Sequence, residues 1–167
     1  MNFRLAEMSD LPAINDLFTR MIEKMHREGV GIWDEVYPFS AFPGDIAAGQ
    51  LWLLEDDTRL YSAILLTETT RGADVTDWST PEKAYYCGRF GVDPDFQRQG
   101  IASLTVHKLM EVVKEKGGRS LRLFVVDCNL PAIRLYQKLG FSQVDSVYID
   151  ALSPDMVYKE YPFEIEV

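Results

Sequence analysis

The chain has 167 residues, a hydrophobic content of 47% and a formal net charge of −9, which indicates one soluble globular domain over residues 1–167. The excess of acidic residues argues against a protein that binds nucleic acid or an anionic membrane through a basic surface. Charged residues interrupt the first apolar positions and no apolar run reaches the length of a membrane span, which predicts a cytoplasmic protein without a signal peptide.

The first half of the chain alternates between strand-like and helical patterns. A helix is expected to begin near Ser9, its N-cap, because apolar residues recur at helical spacing after it. Two apolar runs separated by a polar turn predict a β-hairpin. In chain order we expect a strand over 2–6, this helix, an aromatic and acidic loop over 33–38, a short helix near 45–48, strands over 51–55 and 60–67, and a polar loop over 71–82.

The second half is predicted to contain two helices that each follow a strand. Asn129 is the expected N-cap of the second helix. Gly140 stands where a left-handed residue commonly ends a helix, with Phe141 packing back on the last turn. In chain order we expect a strand over 85–92, a turn at 93–95, a helix over 100–116, a strand over 119–126, a helix after 129, and closing strands near 141–149 and 156–161.

The most informative segment, residues 97–102, lies between the strand over 85–92 and the helix that follows it. Free backbone N–H groups and the positive end of the helix macrodipole favour an anion there, such as a phosphate or a pyrophosphate. Gly100 would let that ligand approach the backbone closely. Residues 96–122 carry six basic and two acidic residues, which are typical of a solvated helix face but also place positive charge after the anion site.

Other phosphate-binding and metal-binding patterns are missing from the sequence. It has neither a Gly-x-x-x-x-Gly-Lys-Ser/Thr motif nor a Gly-x-Gly-x-x-Gly motif after a strand, which argues against P-loop and dinucleotide-binding enzymes. His26 and His107 are isolated on predicted helices, so we expect no metal site. Cys87 and Cys128 are expected to be free thiols that fill core space, and an acyl-carrying role for Cys128 lacks a neighbouring base.

Three segments of the second half have the residues and spacing of a known family: RFGVDPDFQRQGIA at 89–102, Asn129 with Ala132, and LYQKLGF at 135–141. Together they resemble the GNAT superfamily of acyl-CoA-dependent N-acetyltransferases, over nearly the whole chain. The resemblance implies an α/β (α+β) fold, with a mixed, mostly antiparallel central sheet of about seven strands that is splayed between strands 4 and 5 and flanked by about four helices.

The resemblance also implies acetyl-CoA as co-substrate. The backbone N–H of Val92 would stabilise the oxyanion, and Tyr136 would return a proton to the departing CoA sulfur. The helical spacing of Tyr136 by itself favours a core position, and Asn129 is explained equally well as an N-cap. The pantetheine arm would pair with the edge of strand four, and the pyrophosphate would lie on residues 97–102. The implied cofactor-binding residues are Phe90, Val92, Gln97, Arg98, Gln99, Gly100, Ile101, Ala102, Ser103, Asn129 and Tyr136.

The acceptor side is less specific in sequence. Trp33 and Tyr37 lie where the family places its acceptor loops, so they would form an aromatic wall, although large aromatic residues also anchor loops to a core. The inward positions of strand four are Tyr86 and Gly88, which are not bases; a water relay to Glu35 or Asp34 is one way to deprotonate the acceptor, and rim charge is the other explanation. The expected acceptor-binding residues are Trp33, Glu35, Tyr37 and Tyr86.

These expectations define one function and one alternative. The first is an N-acetyltransferase that moves the acetyl group of acetyl-CoA to a primary amine, on a small molecule or a peptide, by direct attack in a ternary complex. The alternative is a catalytically weak acyl-CoA-binding sensor or scaffold with the same fold. A homodimer is common in the family, and no nucleic acid or membrane partner is expected.

Overall fold

The computed structural model of the chain describes residues 1–153 and 156–167, which form four α-helices and eight strands. The helices are α1 (Leu11–Arg27), α2 (Phe42–Ala47), α3 (Ile101–Glu115) and α4 (Leu130–Lys138). The strands are β1 (Asn2–Leu5), β2 (Leu51–Glu55), β3 (Leu60–Thr67), β4 (Ala84–Val92), β5 (Ser120–Val126), β6 (Ser142–Gln143), β7 (Tyr148–Ser153) and β8 (Met156–Glu166). In these described residues, each helix is too short or too polar to cross a membrane.

The strands pair in the order β1-β2-β3-β4-β5-β8-β6, and β7 pairs with β8. The ladders β1–β2, β2–β3, β5–β8, β6–β8 and β7–β8 are antiparallel, whereas β4–β5 is parallel. The parallel ladder joins residues 84–86 to residues 120–122, at the beginning of both strands. The splay between strands 4 and 5 stays a prediction. The predicted mixed α/β fold, with a mostly antiparallel sheet and four helices, is confirmed.

The described residues contain eight strands, one more than the expected number of about seven. The predicted strand near 141–149 is in fact two strands, β6 and β7. A turn separates them, in which the N–H of Ser146 donates to the carbonyl of Val144 at 2.8 Å. The sequence did not reveal this turn because residues 142–147 contain neither glycine nor proline, the usual signals of a turn.

Contacts divide the chain into two units that each contain part of β4. The first unit comprises Met1–Leu66 and Gly88–Lys108, and the second comprises Thr67–Cys87 and Leu109–Val167. The single domain over 1–167 therefore stays a prediction. The core of the first unit consists of apolar side chains from α1, α2, β2 and β3, together with one residue that follows β1: Ala6, Ile14, Leu17, Phe18, Met21, Ile22, Phe42, Ile46, Leu51, Leu53 and Ala63.

Gly91 lets β4 lie directly against the core of the first unit. An ideal Cβ at Gly91 would stand 2.7 Å from the ring of Phe18, which is fully buried. At Gly88 the same atom would stand 4.0 Å from the nearest side-chain atom, which belongs to Leu65. A side chain at Gly91 would overpack this site, so the close approach of an aromatic ring requires glycine beside Val92.

The start of α1 corrects a prediction, because Ser9 is not its N-cap. Asp10 precedes α1 and accepts the N–H of Glu7 at 2.7 Å. Arg4 donates to both oxygens of the same carboxylate, at 2.7 and 2.9 Å. The hydrogen bonds from Arg4 lower the pKa of Asp10. This carboxylate serves the 3-10 turn Met8–Asp10 that precedes α1, and no side-chain hydrogen bond from the described residues caps α1 itself.

The predicted polar loop over 71–82 is fixed within the second unit by the buried carboxylate of Glu164. Ser79 and Thr80 each donate a backbone N–H and a hydroxyl to it, and the nearest N–H donors stand at 3.0 Å. Burial by itself would raise the pKa of Glu164, but these hydrogen bonds outweigh it and the pKa is lowered. The loop is thus ordered by a charged acceptor that the sequence pattern alone does not reveal.

Candidate functional site

In the first unit, the second half of β4 carries the candidate oxyanion donor, Val92. The strand is irregular at Arg89, whose φ of +41° is unusual for a residue with a side chain. Past the strand, the N–H of Asp93 donates to the carbonyl of Tyr61 at 2.9 Å. Phe90 and Val92 are both half-buried. The irregularity at Arg89 therefore lies three residues before the N–H that the family resemblance assigns to the oxyanion.

The turn after β4 is fixed by an ion pair between the buried carboxylate of Asp93 and the partly exposed guanidinium of Arg20. Arg20 of α1 donates to the two oxygens of Asp93 at 2.8 and 3.0 Å, and the N–H of Asp95 donates to the same carboxylate at 3.0 Å. Asp93 is only 5% exposed. Burial acts to raise the pKa of Asp93, but the bonds from Arg20 and Asp95 prevail and lower it. The turn predicted at 93–95 is confirmed, whereas the role of Arg20 was not apparent from its helical position.

The candidate anion loop, residues 97–102, has an unusual backbone. Arg98 and Gly100 both have positive φ, at +62° and +85°. The carbonyl of Gly100 accepts the N–H of Leu104 at 2.9 Å, which starts the hydrogen bonding of α3. No heavy atom lies within 4 Å of the position of a Cβ on Gly100 among its non-neighbouring described residues. The backbone at Gly100 is therefore open to a ligand, as its place in the sequence predicts.

The other residues of this loop divide by exposure. Arg98 and Gln99 are exposed, and the amide of Gln99 donates to the carbonyl of Asp95 at 2.9 Å. Ile101 is 5% exposed and packs in a small core cluster, so only its backbone is suited to bind a ligand. Lys24 of α1 donates to the side-chain oxygen of Gln97. This lysine adds positive charge to the loop, and its contact with Gln97 was not expected from the sequence.

In the second unit, Tyr136 of α4 is buried, with 6% of its surface exposed. Its ring centre lies 5.4 Å from that of Phe141 and 6.5 Å from that of Phe163. Burial raises the pKa of Tyr136 well above its usual value, and the neighbouring Cys87 adds to this effect. The phenol therefore stays protonated at neutral pH, which is the state that a proton donor needs.

The two ends of α4 match the prediction. The side chain of Asn129 accepts the N–H of Ala132 at 3.3 Å, so Asn129 is an N-cap. Gly140 has a φ of +90°, and the N–H of Phe141 donates to the carbonyl of Tyr136 at 3.0 Å. These bonds form the Schellman ending expected of a left-handed glycine. They fix the last turn of the helix, which carries Tyr136.

One expectation about the cysteines is wrong. Cys87 is buried and burial raises its pKa to about 12, whereas Cys128 is exposed, so core filling is wrong for Cys128.

His26 bonds to the carbonyl of Trp33 and His107 to the carbonyl of Ser103, each at 2.7 Å. Within the described part of the chain, no cluster of three or more His, Cys, Asp or Glu residues is arranged to hold a metal ion.

The aromatic and acidic loop over 33–38 lies in the first unit. Trp33 is half-buried and its ring lies 5.7 Å from that of Phe18, so it anchors the loop to the core. The carboxylate of Asp34 accepts the N–H groups of Tyr37 and Val36, each at 2.8 Å, and these bonds lower its pKa. Asp34 is therefore a turn acceptor that stays ionised. Glu35 is exposed.

A network that the sequence analysis missed joins this loop to α2 and β4. Arg89 donates to both oxygens of Asp45, at 2.7 and 2.6 Å, and to the hydroxyl of Tyr37 at 3.0 Å. The guanidinium carbon also lies 5.9 Å from the centre of the Tyr37 ring. The one available signal was a lone arginine within an otherwise uncharged strand, since its partner Asp45 lies 44 residues away in sequence.

Tyr86 belongs to the second unit, whereas the other three expected acceptor residues belong to the first: Trp33, Glu35 and Tyr37. It is 8% exposed, and its hydroxyl accepts from Arg122 at 3.3 Å. Its ring lies 6.0 Å from that of Trp78. Tyr86 also lines an open cavity of about 420 Å³, together with Glu68, Glu82, Lys83, Ala84, Tyr85 and Arg122.

Glu160 of β8 is, after Glu164, a second carboxylate of the second unit with a shifted pKa. It stands opposite Val126 on β5 and opposite Tyr148 on β7. Burial raises the pKa of Glu160 to about 7, the carboxylate of Asp150 raises it as well, and Arg71 acts in the opposite direction. At neutral pH this group exchanges a proton readily, a property that the strand pattern did not predict.

The raised pKa predicts a pH-dependent gain of stability in Glu160→Gln. The folded protein binds the proton of Glu160 more tightly than the unfolded chain does. Protonation of Glu160 therefore stabilises the fold fully below about pH 4.3, and this stabilisation is lost as the pH rises through about 7. Glutamine stays neutral, so the free energy of unfolding of the variant, relative to wild type, should increase by about 1–2 kcal/mol between about pH 4 and pH 9, allowing for solvent screening.

Urea unfolding at both pH values measures this change. Glu166→Gln, at an exposed position of the same strand, is the control, and its difference from wild type should vary less with pH. An identical pH dependence in the two variants would contradict the raised pKa of Glu160.

Sequence comparison places these features in a known family. The model of the acetyltransferase (GNAT) family matches residues 18–141. A proposed phosphinothricin acetyltransferase of Bacillus subtilis is 26% identical over 146 residues, which are 86% of this chain and 85% of that protein. The ribosomal protein bS18 alanine N-acetyltransferase of Escherichia coli K12 is 40% identical over 52 residues, 31% of this chain and 35% of that protein.

An uncharacterized N-acetyltransferase of Methanocaldococcus jannaschii is 39% identical over 56 residues, 34% of this chain and 25% of that protein. The chain thus spans a quarter to a third of two of these relatives and most of the third.

Two solved structures show the same fold. An acetyltransferase of the GNAT family from Streptococcus agalactiae superposes with a TM-score of 0.82 at 21% identity, covering 99% of this chain and 96% of that one. The PaiA N-acetyltransferase of Thermoplasma acidophilum, in complex with coenzyme A, gives a TM-score of 0.72 at 16% identity, covering 99% and 98%. Because the family match includes β4, the anion loop, Asn129 and Tyr136, and spans most of the sequence, the chain belongs to the acetyltransferase (GNAT) family.

Proposed function

We propose that the protein transfers the acetyl group of acetyl-CoA to a primary amine by direct attack in a ternary complex. The observation that carries this proposal is the anion loop: left-handed Gly100, with open space around it, at the start of the fifteen-residue helix α3. In the proposal, the N–H groups of residues 97–102 bind the pyrophosphate, and Arg98 and Ser103 add polar contacts.

The edge of β4 binds the pantetheine arm in this proposal. The arm pairs with the backbone near Phe90 and Val92 as an added strand would. The N–H of Val92 then donates to the thioester oxygen as negative charge develops on it. The ion pair of Arg20 with buried Asp93, which fixes the turn after Val92, supports a rigid donor at this position.

Tyr136 is the proposed proton donor to the CoA thiolate. Its phenol is protonated throughout the neutral range, as the role requires, and the raised pKa makes it a weaker acid than an ordinary tyrosine. Its ring contacts with Phe141 and Phe163 serve equally to position the hydroxyl and to fill the core. Asn129 combines its N-cap role with a proposed contact to the cofactor.

The acceptor is a small-molecule amine or an exposed peptide amine. Relatives are named for phosphinothricin and for an alanine of a ribosomal protein, so both kinds are represented among similar sequences. Deprotonation of the ammonium is assigned to a water relay that ends at exposed Glu35. Asp34 is the weaker candidate, since the backbone N–H groups of Val36 and Tyr37 bond to its carboxylate and lower its pKa.

The alternative is an acyl-CoA-binding module with weak catalysis. One observation favours it: β4, with the sequence AYYCGRFGV, contains no carboxylate or histidine to act as a base. The test measures thiol release from acetyl-CoA with a mixed panel of amines, alongside calorimetric binding of acetyl-CoA. Amine-dependent thiol release supports the enzyme, whereas tight binding with no release from any amine supports the binding module.

A further inference from the structure

We propose that Arg89 and Tyr37 recognise a carboxylate on the acceptor, so that preferred acceptors are primary amines that also carry an acid group. This inference rests on the proposed acetyl transfer and names the substrate class of the same site. Arg89, Asp45 and Tyr37 all belong to the first unit. Tyr37 was expected on the acceptor side from sequence, whereas Arg89 and Asp45 were not.

The hydrogen bonds of Arg89 leave part of its guanidinium available. Its Nε and Nη2 donate to the carboxylate of Asp45, and its Nη1 donates to the hydroxyl of Tyr37. A guanidinium has five N–H groups in a fixed plane, and the three hydrogen bonds that Arg89 makes with described residues use three of them. The Tyr37 oxygen accepts in its bond with Arg89, which leaves its own hydrogen to be donated to a ligand in this proposal. The remaining N–H groups and this O–H would then act together as donors.

The exposed fraction of the residues in this network increases from Asp45 through Arg89 to Tyr37. The side chain of Asp45 is 10% exposed and that of Arg89 is 18% exposed, while Tyr37 is 37% exposed. Asp45 is thus the least exposed residue of the network and Tyr37 the most exposed. In the proposal, a ligand that approaches from solvent meets the Tyr37 and Arg89 donors, which favours an acceptor group such as a carboxylate.

The loop around Tyr37 is held before any ligand arrives. Asp34 accepts the N–H of Tyr37 at 2.8 Å, and the N–H of Asp34 donates to the carbonyl of Tyr37 at 3.0 Å. Two further contacts, from Arg89 to the hydroxyl and to the ring, fix the side chain. Preorganised donors lose little conformational entropy on binding, which increases affinity for a small anionic group.

The test compares acceptors that differ only in the carboxylate. Several L-amino acids are each paired with the amine that results from removing the α-carboxylate, and kcat/KM is measured for both at saturating acetyl-CoA. We expect wild type to prefer the amino acid. In Tyr37→Phe, which keeps the ring and removes the hydroxyl, the ratio of the two kcat/KM values should fall about tenfold, as for loss of one hydrogen bond to a charged group.

Tyr61→Phe is the matched control, because Tyr61 lies in the same unit and its hydroxyl bonds to Asp56. Its ratio should equal that of wild type. A wild-type ratio near one, or a ratio unchanged in Tyr37→Phe, overturns the inference while leaving acetyl transfer intact.

A wild type that releases no thiol with any amine contradicts the proposed function instead. Calorimetric titration of the same amino acids in the presence of CoA then decides the inference. Carboxylate-dependent binding that weakens in Tyr37→Phe supports it, and equal or absent binding overturns it.

Discussion

Gly100→Asp is expected to lower the affinity for acetyl-CoA by at least about 100-fold. The added carboxylate would stand at the N–H groups that we assign to the pyrophosphate, and two like charges about 4 Å apart near a protein surface repel by about 4 kcal/mol. The fold should persist, because the site has no heavy atom within 4 Å of the position of a Cβ among the described non-neighbouring residues. Calorimetric titration and a thermal unfolding curve measure the two effects.

Gly100→Asn separates charge from backbone strain. Any side chain at Gly100 must adopt a φ of +85°, which glycine alone adopts without penalty, and asparagine and aspartate tolerate it similarly. The Asn variant has the size of the Asp variant without its charge, so we expect it to bind acetyl-CoA at least about tenfold more tightly than the Asp variant. Equal affinities would mean that the pyrophosphate lies elsewhere.

Tyr136→Phe is expected to lower kcat by about 10- to 100-fold with little change in the affinity for acetyl-CoA. The phenylalanine ring preserves the contacts with Phe141 and Phe163, so the loss isolates the hydroxyl. The raised pKa of Tyr136 further predicts that wild-type kcat does not fall between about pH 7 and pH 9 through ionisation of this phenol.

Tyr85→Phe is the control for this variant. Tyr85 is also buried in the second unit, and its hydroxyl lies 3.4 Å from the carboxylate of Glu68. Loss of that hydroxyl should leave kcat near the wild-type value. If Tyr136→Phe also retained wild-type turnover, the residue would be a core tyrosine, as its helical spacing alone suggests.

Local patterns predicted the fold well where the structure depends on neighbours in sequence. The hairpin of β2 and β3 and the capped ends of α4 were expected within a residue or so, because apolar periodicity and capping residues act over a few positions. The turn at 93–95 was recognised for the same reason. The predicted N-cap of α1 was wrong, since a 3-10 turn over Met8–Asp10 leads directly into the helix and no side chain among the described residues caps it.

The polar networks around the site could not be predicted in the same way. Arg89 pairs with Asp45 across 44 residues, Arg20 with Asp93 across 73, and Ser79 with Glu164 across 85. No periodicity links such positions, so the sequence pattern did not pair these residues, and the lone charge of Arg89 within β4 was the one signal. The cofactor residues came from motif resemblance, and their individual roles stay predictions.

Two glutamates on β8, four positions apart, give the second unit an optimum of stability in pH. Glu164 has a lowered pKa, so its contribution is present above about pH 4.3 and declines as acid protonates it. Glu160 has a pKa of about 7, so the stabilisation that its protonated form provides is lost between about pH 4.3 and about pH 7. One strand therefore requires one carboxylate charged and the other neutral, and this condition is met in mildly acidic solution.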